Sequence, residues 1–521
     1  MSNKDKSMMA TSISPETSRL FADFTCDHPL DSEVAVKISA LHDLIRDDDD
    51  DYEIFRHSAK TDELWGLLLS KAIRCLRYFD EREPFIRNHE KKPKAYGLDE
   101  LNKYYSEYKE FESMLYGSGQ YYRDHVVHVF RTWLTGIECL VKNEGVYLNF
   151  VSILDSEEIE LNKAEKISIW TIIALTHDLG YPLEKAKGII DTTRSMVSTF
   201  VANPDISMDL SFHGVQNYMN DFIVRLMSSK MVYVGTEEND KGKDIRKYVA
   251  RLQPKYYFKF QKSLEKTDHG IISTLIIYKL LTYFLESDYN INEDYKFDPR
   301  DRRQFYIRRE ILRAIASHTC TDVYHLYMGT FAFLLIIADD TQEWGRKFIS
   351  ELYTSSGDKY EPGEIDIAIS QNADSPSHNC KITEKMLIPE RKGSESVIRL
   401  MKRLKEQALN YVTLFRDGQD TENRNFSFLR EYTIEYASSP SISFNMKLKI
   451  ANDSAASLAG EIKYSSNEVK NKVFGQSFIE ALHDELKTPV KWTALDDNNN
   501  SVSKEASADW RKGNIIIDLA N

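Results

Sequence analysis

Between about residues 61 and 350, apolar residues recur at steps of three and four, the spacing that places side chains on one face of an α-helix. One such face consists of Leu64, Leu67, Leu68, Ala72 and Leu76. A second consists of Phe130, Trp133, Leu134, Ile137, Leu140 and Val141. This pattern predicts a mainly α fold, with a large helical domain over residues 61–350.

Helix-breaking residues divide this region into separate helices. Gly180 with Pro182, Asn203-Pro204 and Asp298-Pro299 interrupt the apolar pattern. Glycine ends helices and proline begins them, so these positions predict helix boundaries. The helical segments predicted between the breakers are 164–178, 183–200, 209–230, 269–286, 302–317 and 322–350.

The pattern changes after about residue 351, where Ser355-Ser356-Gly357 and Pro362-Gly363 indicate a domain boundary. Short β-rich runs follow, interrupted by helical stretches near 394–415 and 468–487. These runs are Ile365–Ile369, Tyr432–Tyr436, Ile442–Ile450 and Ile515–Leu519. Residues 351–521 therefore read as a smaller α+β C-terminal domain, whose role the sequence does not indicate. Residues 1–60 read as a polar N-terminal segment.

Composition narrows the class of protein. The chain has 521 residues and a formal net charge of −13, which repels a nucleic-acid backbone overall but leaves open a phosphate ester in a local basic pocket. Its longest apolar run, Phe331–Ala338, is far below the roughly 18 residues that a membrane span needs. The first residues lack the apolar stretch of a signal peptide, and five scattered cysteines fit a reducing compartment. We expect a cytoplasmic protein with no membrane partner.

One of three His-Asp dipeptides lies in a setting that suggests chemistry. His177-Asp178 ends an apolar helical run, and Gly180 and Pro182 follow directly. Two polar side chains at a buried helix end need partners, and a metal cation is one that offsets the cost of burying a carboxylate. A hydrogen-bonded structural pair is the alternative for this dipeptide taken alone.

Further histidines and a carboxylate stand at the edges of other apolar helices. His125 and His128 are neighbours on one helix surface, at the i,i+3 spacing. Downstream, His269 opens an apolar helix, His318 ends another, and Asp339 follows the run Leu334–Ala338. A single histidine is more often a core or surface residue than a ligand, but this ordered set favours a metal site.

The order and local contexts of these residues resemble the HD superfamily of metal-dependent phosphohydrolases, over about residues 120–350. The resemblance implies an all-helical HD-type domain, and the smaller α+β domain predicted after it has no part in the resemblance. It also implies a first metal ion bound by one of the two upstream histidines and by the His-Asp pair and the last aspartate, and a second bound by two further histidines with Asp178 bridging. The implied metal ligands are His125 or His128, His177, Asp178, His269, His318 and Asp339.

The resemblance implies hydrolysis of a nucleotide or related phosphate ester by metal-activated water. Imidazole and carboxylate ligands suit one or two divalent Mn, Fe, Co, Ni or Zn ions. Whichever of His125 and His128 is not a ligand would protonate the leaving group, which makes His128 a catalytic candidate. Asp178 and Lys185 are the other two catalytic candidates. Lys185 and Arg123 are candidates for neutralising phosphate charge, and Arg346 for a bidentate phosphate contact. Solvated positions on helix faces are the alternative for these cations.

The sequence departs from two branches of the superfamily. Tyr181-Pro182 follows His-Asp-x-Gly where the deoxynucleoside triphosphate hydrolases usually have another histidine, and the HD-GYP signature is not reproduced. A non-catalytic nucleotide or metal sensor therefore stays open, with the C-terminal domain contacting a protein partner or a second copy. A di-iron oxygenase and a single-strand nuclease are further alternatives, and the acidic charge disfavours nucleic acid as the partner.

Overall fold

The architecture was analysed in a computed structural model of the chain. The residues described are 30–44, 53–78, 97–116, 126–142, 161–201, 215–239, 242–285, 295–320, 323, 330–341, 361–371, 378–388, 426–436, 439–451, 457–463, 491–495, 501–504, 509–510 and 513–520.

Up to residue 341 the described chain is mainly helical, as the apolar spacing predicts. The helices are α1 (Ser32–Leu44), α2 (Glu53–Tyr78), α3 (Leu98–Tyr116), α4 (Val126–Lys142), α5 (Lys163–Thr176), α6 (Tyr181–Val197), α7 (Val215–Ser228), α8 (Pro254–Lys266), α9 (His269–Leu280), α10 (Thr282–Leu285), α11 (Pro299–Ser317) and α12 (Phe331–Asp340). Their apolar faces form one buried cluster. This cluster contains Val34, Ile38 and Leu41 of α1, a helix that the polar composition of residues 1–60 did not predict.

Helix α5 lies at the centre of this core. Every residue from Ala164 to Thr176 is buried, and a capping box between Asn162 and Glu165 closes its N-terminus. Arg303 of α11 forms an ion pair with the buried Glu165 carboxylate. The N-terminus of this fully buried helix is therefore supplied with hydrogen-bond and charge partners, as burial of polar groups requires.

Helices α4 and α5 pack closely through two tryptophans. Trp133 Nε1 donates to Thr171 Oγ1 at 3.0 Å, and Trp170 Nε1 donates to Trp133 O at 3.1 Å. A Cβ atom at Gly136 would lie 2.0 Å from the Trp170 ring, so only glycine allows this approach. The contact fixes the distance between the helix that carries His128 and the helix that ends at His177.

A β-hairpin interrupts the helical region, where the sequence pattern predicted none. Strands β1 (Ser229–Glu238) and β2 (Asp244–Leu252) pair antiparallel directly after α7. The register shifts between Tyr233 and Gly235, which is the position of an irregularity in the strand. The described part of residues 61–350 is therefore mainly helical rather than all-helical.

From residue 361 onward the described elements are strands, which form a mixed sheet in the order β3-β4-β5-β6-β7-β11-β8-β9, with β10 paired to β11. The strands are β3 (Glu361–Gln371), β4 (His378–Ile388), β5 (Phe426–Tyr436), β6 (Ser439–Ala451), β7 (Ser457–Lys463), β8 (Lys491–Leu495), β9 (Ser501–Lys504), β10 (Asp509–Trp510) and β11 (Gly513–Ala520). The four predicted β-rich runs lie within β3, β5, β6 and β11. Ile367, Cys380 and Ile382 belong to the same buried cluster as the helices. The predicted helical stretches 394–415 and 468–487 lie outside the described residues, and the domain boundary near 351 stays a prediction.

In the described part of the chain, no helix combines the length and apolar character needed to cross a membrane. Four cysteines there are buried free thiols. They are Cys75, Cys139, Cys320 and Cys380.

Candidate metal centre

Six side chains from five separate places in the helical core meet in one buried group that could hold a metal ion. Helix α4 contributes one histidine, the end of α5 contributes the His-Asp pair, and α9, the end of α11 and α12 contribute one residue each. These residues are His128, His177, Asp178, His269, His318 and Asp339.

The end of α5 and the turn that follows it are held from outside by hydrogen bonds to their carbonyl groups. Trp65 Nε1 of α2 donates to Leu175 O at 2.9 Å, and Tyr104 Oη of α3 donates to Leu179 O at 2.7 Å. The last carbonyls of a helix have no partner within the helix, so these contacts satisfy groups that would otherwise be buried and unpaired. They fix the turn that presents His177 and Asp178.

The first half of the centre is formed around the His-Asp pair by α4 and α12. His128 Nε2 lies 2.8 Å from Asp339 Oδ1 and 3.6 Å from Asp178 Oδ2. His177 Nε2 lies 3.5 Å from Asp178 Oδ2 and 4.0 Å from Asp339 Oδ1. Two imidazole nitrogens and two carboxylate oxygens thus face a common point.

The second half shares Asp178 with the first. His269 Nε2 lies 3.3 Å and His318 Nε2 lies 3.6 Å from Asp178 Oδ1. The two Nε2 atoms are 3.1 Å apart. Because Asp178 turns Oδ2 to the first half and Oδ1 to the second, it has the geometry of a bridging carboxylate.

The far ring nitrogens of three of the histidines have partners that orient them. His177 Nδ1 lies 2.8 Å from Ala174 O, and His318 Nδ1 lies 2.5 Å from Ile315 O. His269 Nδ1 instead lies 2.7 Å from a carboxylate oxygen of Glu184. A proton on each Nδ1 leaves the Nε2 lone pair directed into the centre, as metal-ligating histidines require.

Burial and mutual charge shift the pKa values of the group in opposite directions. Burial lowers the pKa of His177 to about 4. Burial opposes ionisation of Asp178, but His177 and His269 outweigh it and hold the pKa of that carboxyl well below its usual value. Burial likewise opposes ionisation of Asp339, yet the contact with His128 lowers its pKa. At neutral pH both carboxylates are ionised and His177 is neutral, the protonation states of metal ligands.

His269 behaves differently from His177. Burial alone would lower its pKa, but the contacts with Asp178 and Glu184 raise the pKa of His269 to about 10. In the metal-free protein its proton offsets part of the negative charge of the two aspartates. A divalent cation would take over that compensation.

The donor set fits a divalent transition metal. His177 Nε2 is buried and has no hydrogen-bond partner among the described residues, which is costly unless another group binds it. Imidazole nitrogens combined with carboxylate oxygens suit Mn, Fe, Co, Ni or Zn better than Ca or Mg. Three sets of ligand atoms each lie within 4.8 Å of one another: those of His128, His177 and Asp178, those of Asp178, His269 and His318, and those of His177, His318 and Asp339.

One side of the centre is open to solvent. The Asp339 side chain is 29% exposed and that of His269 is 19% exposed, whereas His177 is fully buried. Lys185 lies near this side, with Nζ 4.6 Å from the centroid of the Tyr181 ring and 3.8 Å from Glu184 Oε1. Lys185 is therefore outside the group of six.

The other predicted site residues divide into two sets. His128, His177, Asp178, His269, His318 and Asp339 are brought together, as described above. Arg123, His125 and Arg346 lie outside the described residues, so their assigned roles stay predictions. His128 belongs to the group, and because His125 lies outside the described residues the choice between the two as the ligand stays a prediction.

Sequence reasoning did not single out Glu184. Its carboxylate accepts hydrogen bonds from both the backbone N and the ring Nδ1 of His269, 85 residues along the chain. An acidic residue in the first turn of a helix is common because it complements the helix dipole. The signal available was its position two residues after Pro182, close behind the His-Asp pair.

No family model matches the sequence, and the comparisons with curated proteins and with solved structures found no match.

Proposed function

We propose that the chain is a metal-dependent phosphohydrolase or phosphodiesterase acting on a nucleotide or related phosphate ester. The observation that carries the proposal is that the six ligand candidates converge, with His177 facing one carboxylate oxygen of Asp178 and His269 facing the other. A bridging carboxylate flanked by histidines on both sides is the donor pattern expected of two adjacent ions. Bound ions would activate water and stabilise the charge that develops on a phosphoryl group.

The protein side chains supply orientation and charge. Asp178 and Asp339 are ionised at neutral pH, and their negative charge favours binding of a divalent cation in the centre. The carbonyl groups of Ala174 and Ile315 hold the His177 and His318 rings by their Nδ1 atoms. This preorganisation fixes where a substrate oxygen would approach, which is the open side near Asp339.

Lys185 is proposed to neutralise phosphate charge at the entrance of the centre. Its ammonium lies over the Tyr181 ring, and that ring is itself 5.6 Å from the ring of His269, centroid to centroid. The Lys185 side chain is 42% exposed, so it can turn towards a ligand at little cost. Tyr181 offers an aromatic face at the same place.

The test begins with the metal content of the purified full-length protein, measured by elemental mass spectrometry. We expect about two transition-metal ions per chain after reconstitution with Mn²⁺, and none in Asp178→Ala, which should remain helical by circular dichroism. Asp221→Asn is the matched control, because Asp221 is a carboxylate on α7 whose contacts are with Tyr257 and Arg225. That control should retain both ions.

Turnover then separates the enzyme from the alternatives. The Mn²⁺-loaded protein is screened with bis(p-nitrophenyl) phosphate, p-nitrophenyl phosphate and a nucleotide panel, and Asp178→Ala should fall to background. Bound metal without hydrolysis of any of these esters would favour the non-catalytic sensor. Oxygen consumption without phosphate release would favour the di-iron oxygenase, and no bound metal would exclude both metal-dependent enzymes.

A further inference from the structure

Glu184 makes a pair of contacts that sets His269 apart from the other histidines of the centre. Its Oε2 atom lies 2.9 Å from the backbone N of His269 and 2.7 Å from ring Nδ1 of the same residue. Two donors of one residue thus converge on one carboxylate oxygen. Both the position of the His269 backbone and the rotation of its ring are therefore fixed by a side chain from a different helix.

The local backbone shows why Glu184 reaches this point. Gly180 and Pro182 begin helix α6 directly after the turn at Asp178, so the first turn of α6 lies beside the first turn of α9. The N-cap of α9, Asp268, makes no side-chain capping bond, and its Oδ2 atom accepts from Ser263 Oγ at 2.6 Å. Glu184 supplies an acceptor for the N–H of His269, the first of the α9 N–H groups that have no partner within the helix.

The partners on Nδ1 distinguish His269 from the two histidines whose partners are known, including His318 on its own side of Asp178. Neutral carbonyl groups back His177 and His318, whereas an anionic carboxylate backs His269. A carboxylate behind a ligating histidine fixes the tautomer and makes Nε2 a stronger donor than a carbonyl does. Nε2 of His269 is the atom that faces Asp178 Oδ1 and His318 Nε2.

We infer that Glu184 is a positioning residue for the ion held by His269, His318 and Asp178, and that the affinity of this ion depends on its carboxylate. The inference rests on the proposed metal centre. The ion between His128, His177 and Asp339 is held by residues that Glu184 does not contact in the structure described. Removal of Glu184 therefore lowers the affinity of one ion and leaves the other unchanged.

The experiment is a Mn²⁺ titration of the metal-free full-length protein, following free Mn²⁺ by electron paramagnetic resonance. Wild type, Glu184→Ala, Glu184→Gln and the control Asp221→Asn are compared. In Glu184→Ala we expect the Kd of one ion to rise about 10- to 100-fold, with the other ion within about twofold of wild type. In Glu184→Gln the Kd of that ion should lie between the values for wild type and Glu184→Ala, because the amide oxygen accepts the same N–H groups without the charge.

Each outcome bears on a distinct claim. Weaker binding of only one ion in Glu184→Ala, partly restored in Glu184→Gln, supports the positioning role. Two ions bound with unchanged affinities in Glu184→Ala would overturn it and leave the metal centre intact. An equal loss of affinity for both ions in Glu184→Gln would also overturn the positioning role, because the effect would then be general rather than confined to the ion at His269. Wild type without bound Mn²⁺ would overturn the metal centre itself, and this inference with it.

Discussion

Gly180 packs so closely on His269 that a Cβ atom at position 180 would lie 2.3 Å from the His269 carbonyl oxygen. The same Cβ would lie 2.8 Å from Ile272 Cβ and 2.9 Å from Ser273 N. Two of the three neighbours are backbone atoms of α9, which cannot move without moving the helix. The turn that follows His177-Asp178 is therefore in direct contact with the helix that supplies the next ligand candidate.

Gly180→Ala should displace α9 relative to the end of α5. Overpacking of a tight contact typically costs about 1–3 kcal/mol, and here it also moves His269 away from Asp178. We expect the free energy of unfolding of the metal-free protein to fall by this amount and Mn²⁺ binding at the second half of the centre to weaken. Urea unfolding and Mn²⁺ titration measure the two effects.

Gly188→Ala on helix α6 is the matched control. A Cβ at this exposed position meets no atom within 4 Å. Alanine in an exposed helix interior is more favourable than glycine by about 0.5–1 kcal/mol. Gly188→Ala should therefore stabilise the protein slightly and leave Mn²⁺ affinity unchanged. Equal behaviour of the two variants would show that the close contact at Gly180 does not hold α9 in place.

Ser273→Ala should loosen the same contact without adding volume. Gly180 N donates to Ser273 Oγ at 2.8 Å, and that hydroxyl lies 2.6 Å from His177 O. Alanine leaves the buried N–H of Gly180 without this acceptor, which costs about 1–3 kcal/mol. The measurement is urea unfolding, with Ser198→Ala as control. Ser198 is exposed and its hydroxyl bonds within its own turn, so that change should stay within about 0.5 kcal/mol. A Ser273→Ala effect of the same small size would show that the contacts of the Ser273 hydroxyl with Gly180 and His177 do not stabilise the protein.

Apolar spacing predicted most of the helical core because each helix must bury one face. The predicted segment 164–178 corresponds to α5 and the predicted segment 302–317 to α11. The hairpin β1-β2 was missed although its signals were present. Met231–Val234 is a β-favouring run, and Gly242, which has a φ of 70°, closes the turn. These signals were outweighed by the helical period of the flanking residues.

Most residues of the candidate centre could likewise be predicted from their local sequence, whereas one depends on the tertiary structure. His177-Asp178, His269, His318 and Asp339 stand at helix ends, where a polar residue beside an apolar run is visible in the sequence. Glu184 is not visible in this manner, because its partner is 85 residues away and its local setting is that of any acidic residue in a first turn. Only the packing of α6 on α9 reveals its contact.

The free energy of unfolding of the metal-free protein should fall on both the acid and the alkaline side of a maximum. Burial lowers the pKa of His177 to about 4, below the unfolded value of about 6.5. Between these values the unfolded chain binds more protons, so stability is lost as pH falls. Contacts with Asp178 and Glu184, acting against burial, raise the pKa of His269 to about 10. The stability that protonated His269 contributes is therefore complete below about pH 6.5 and is lost as pH rises towards 10. We expect a maximum near pH 6.5.

Urea unfolding between pH 4 and pH 9 measures this profile, with wild type compared to His177→Gln. One proton corresponds to a slope of about 1.4 kcal/mol per pH unit. The difference in unfolding free energy between the two proteins should therefore change by up to about 1.4 kcal/mol for each pH unit between pH 6.5 and pH 4, and stay constant above pH 7. A difference independent of pH on the acid side would show that His177 does not titrate as a buried neutral histidine.

Metal binding should release a proton from His269. Its pKa of about 10 means that the metal-free protein carries this proton at pH 7.5, whereas a metal-ligating imidazole must be neutral at the ligating nitrogen. His177, with a pKa of about 4, is already deprotonated and contributes none. Calorimetric titration with Mn²⁺ at pH 7.5, in two buffers of different ionisation enthalpy, should show proton release, and the number of protons released per chain should be lower by about one in His269→Gln. Proton release that is the same in His269→Gln and wild type would place the titrating group elsewhere and would contradict the ionised His269–Asp178 contact in the metal-free centre.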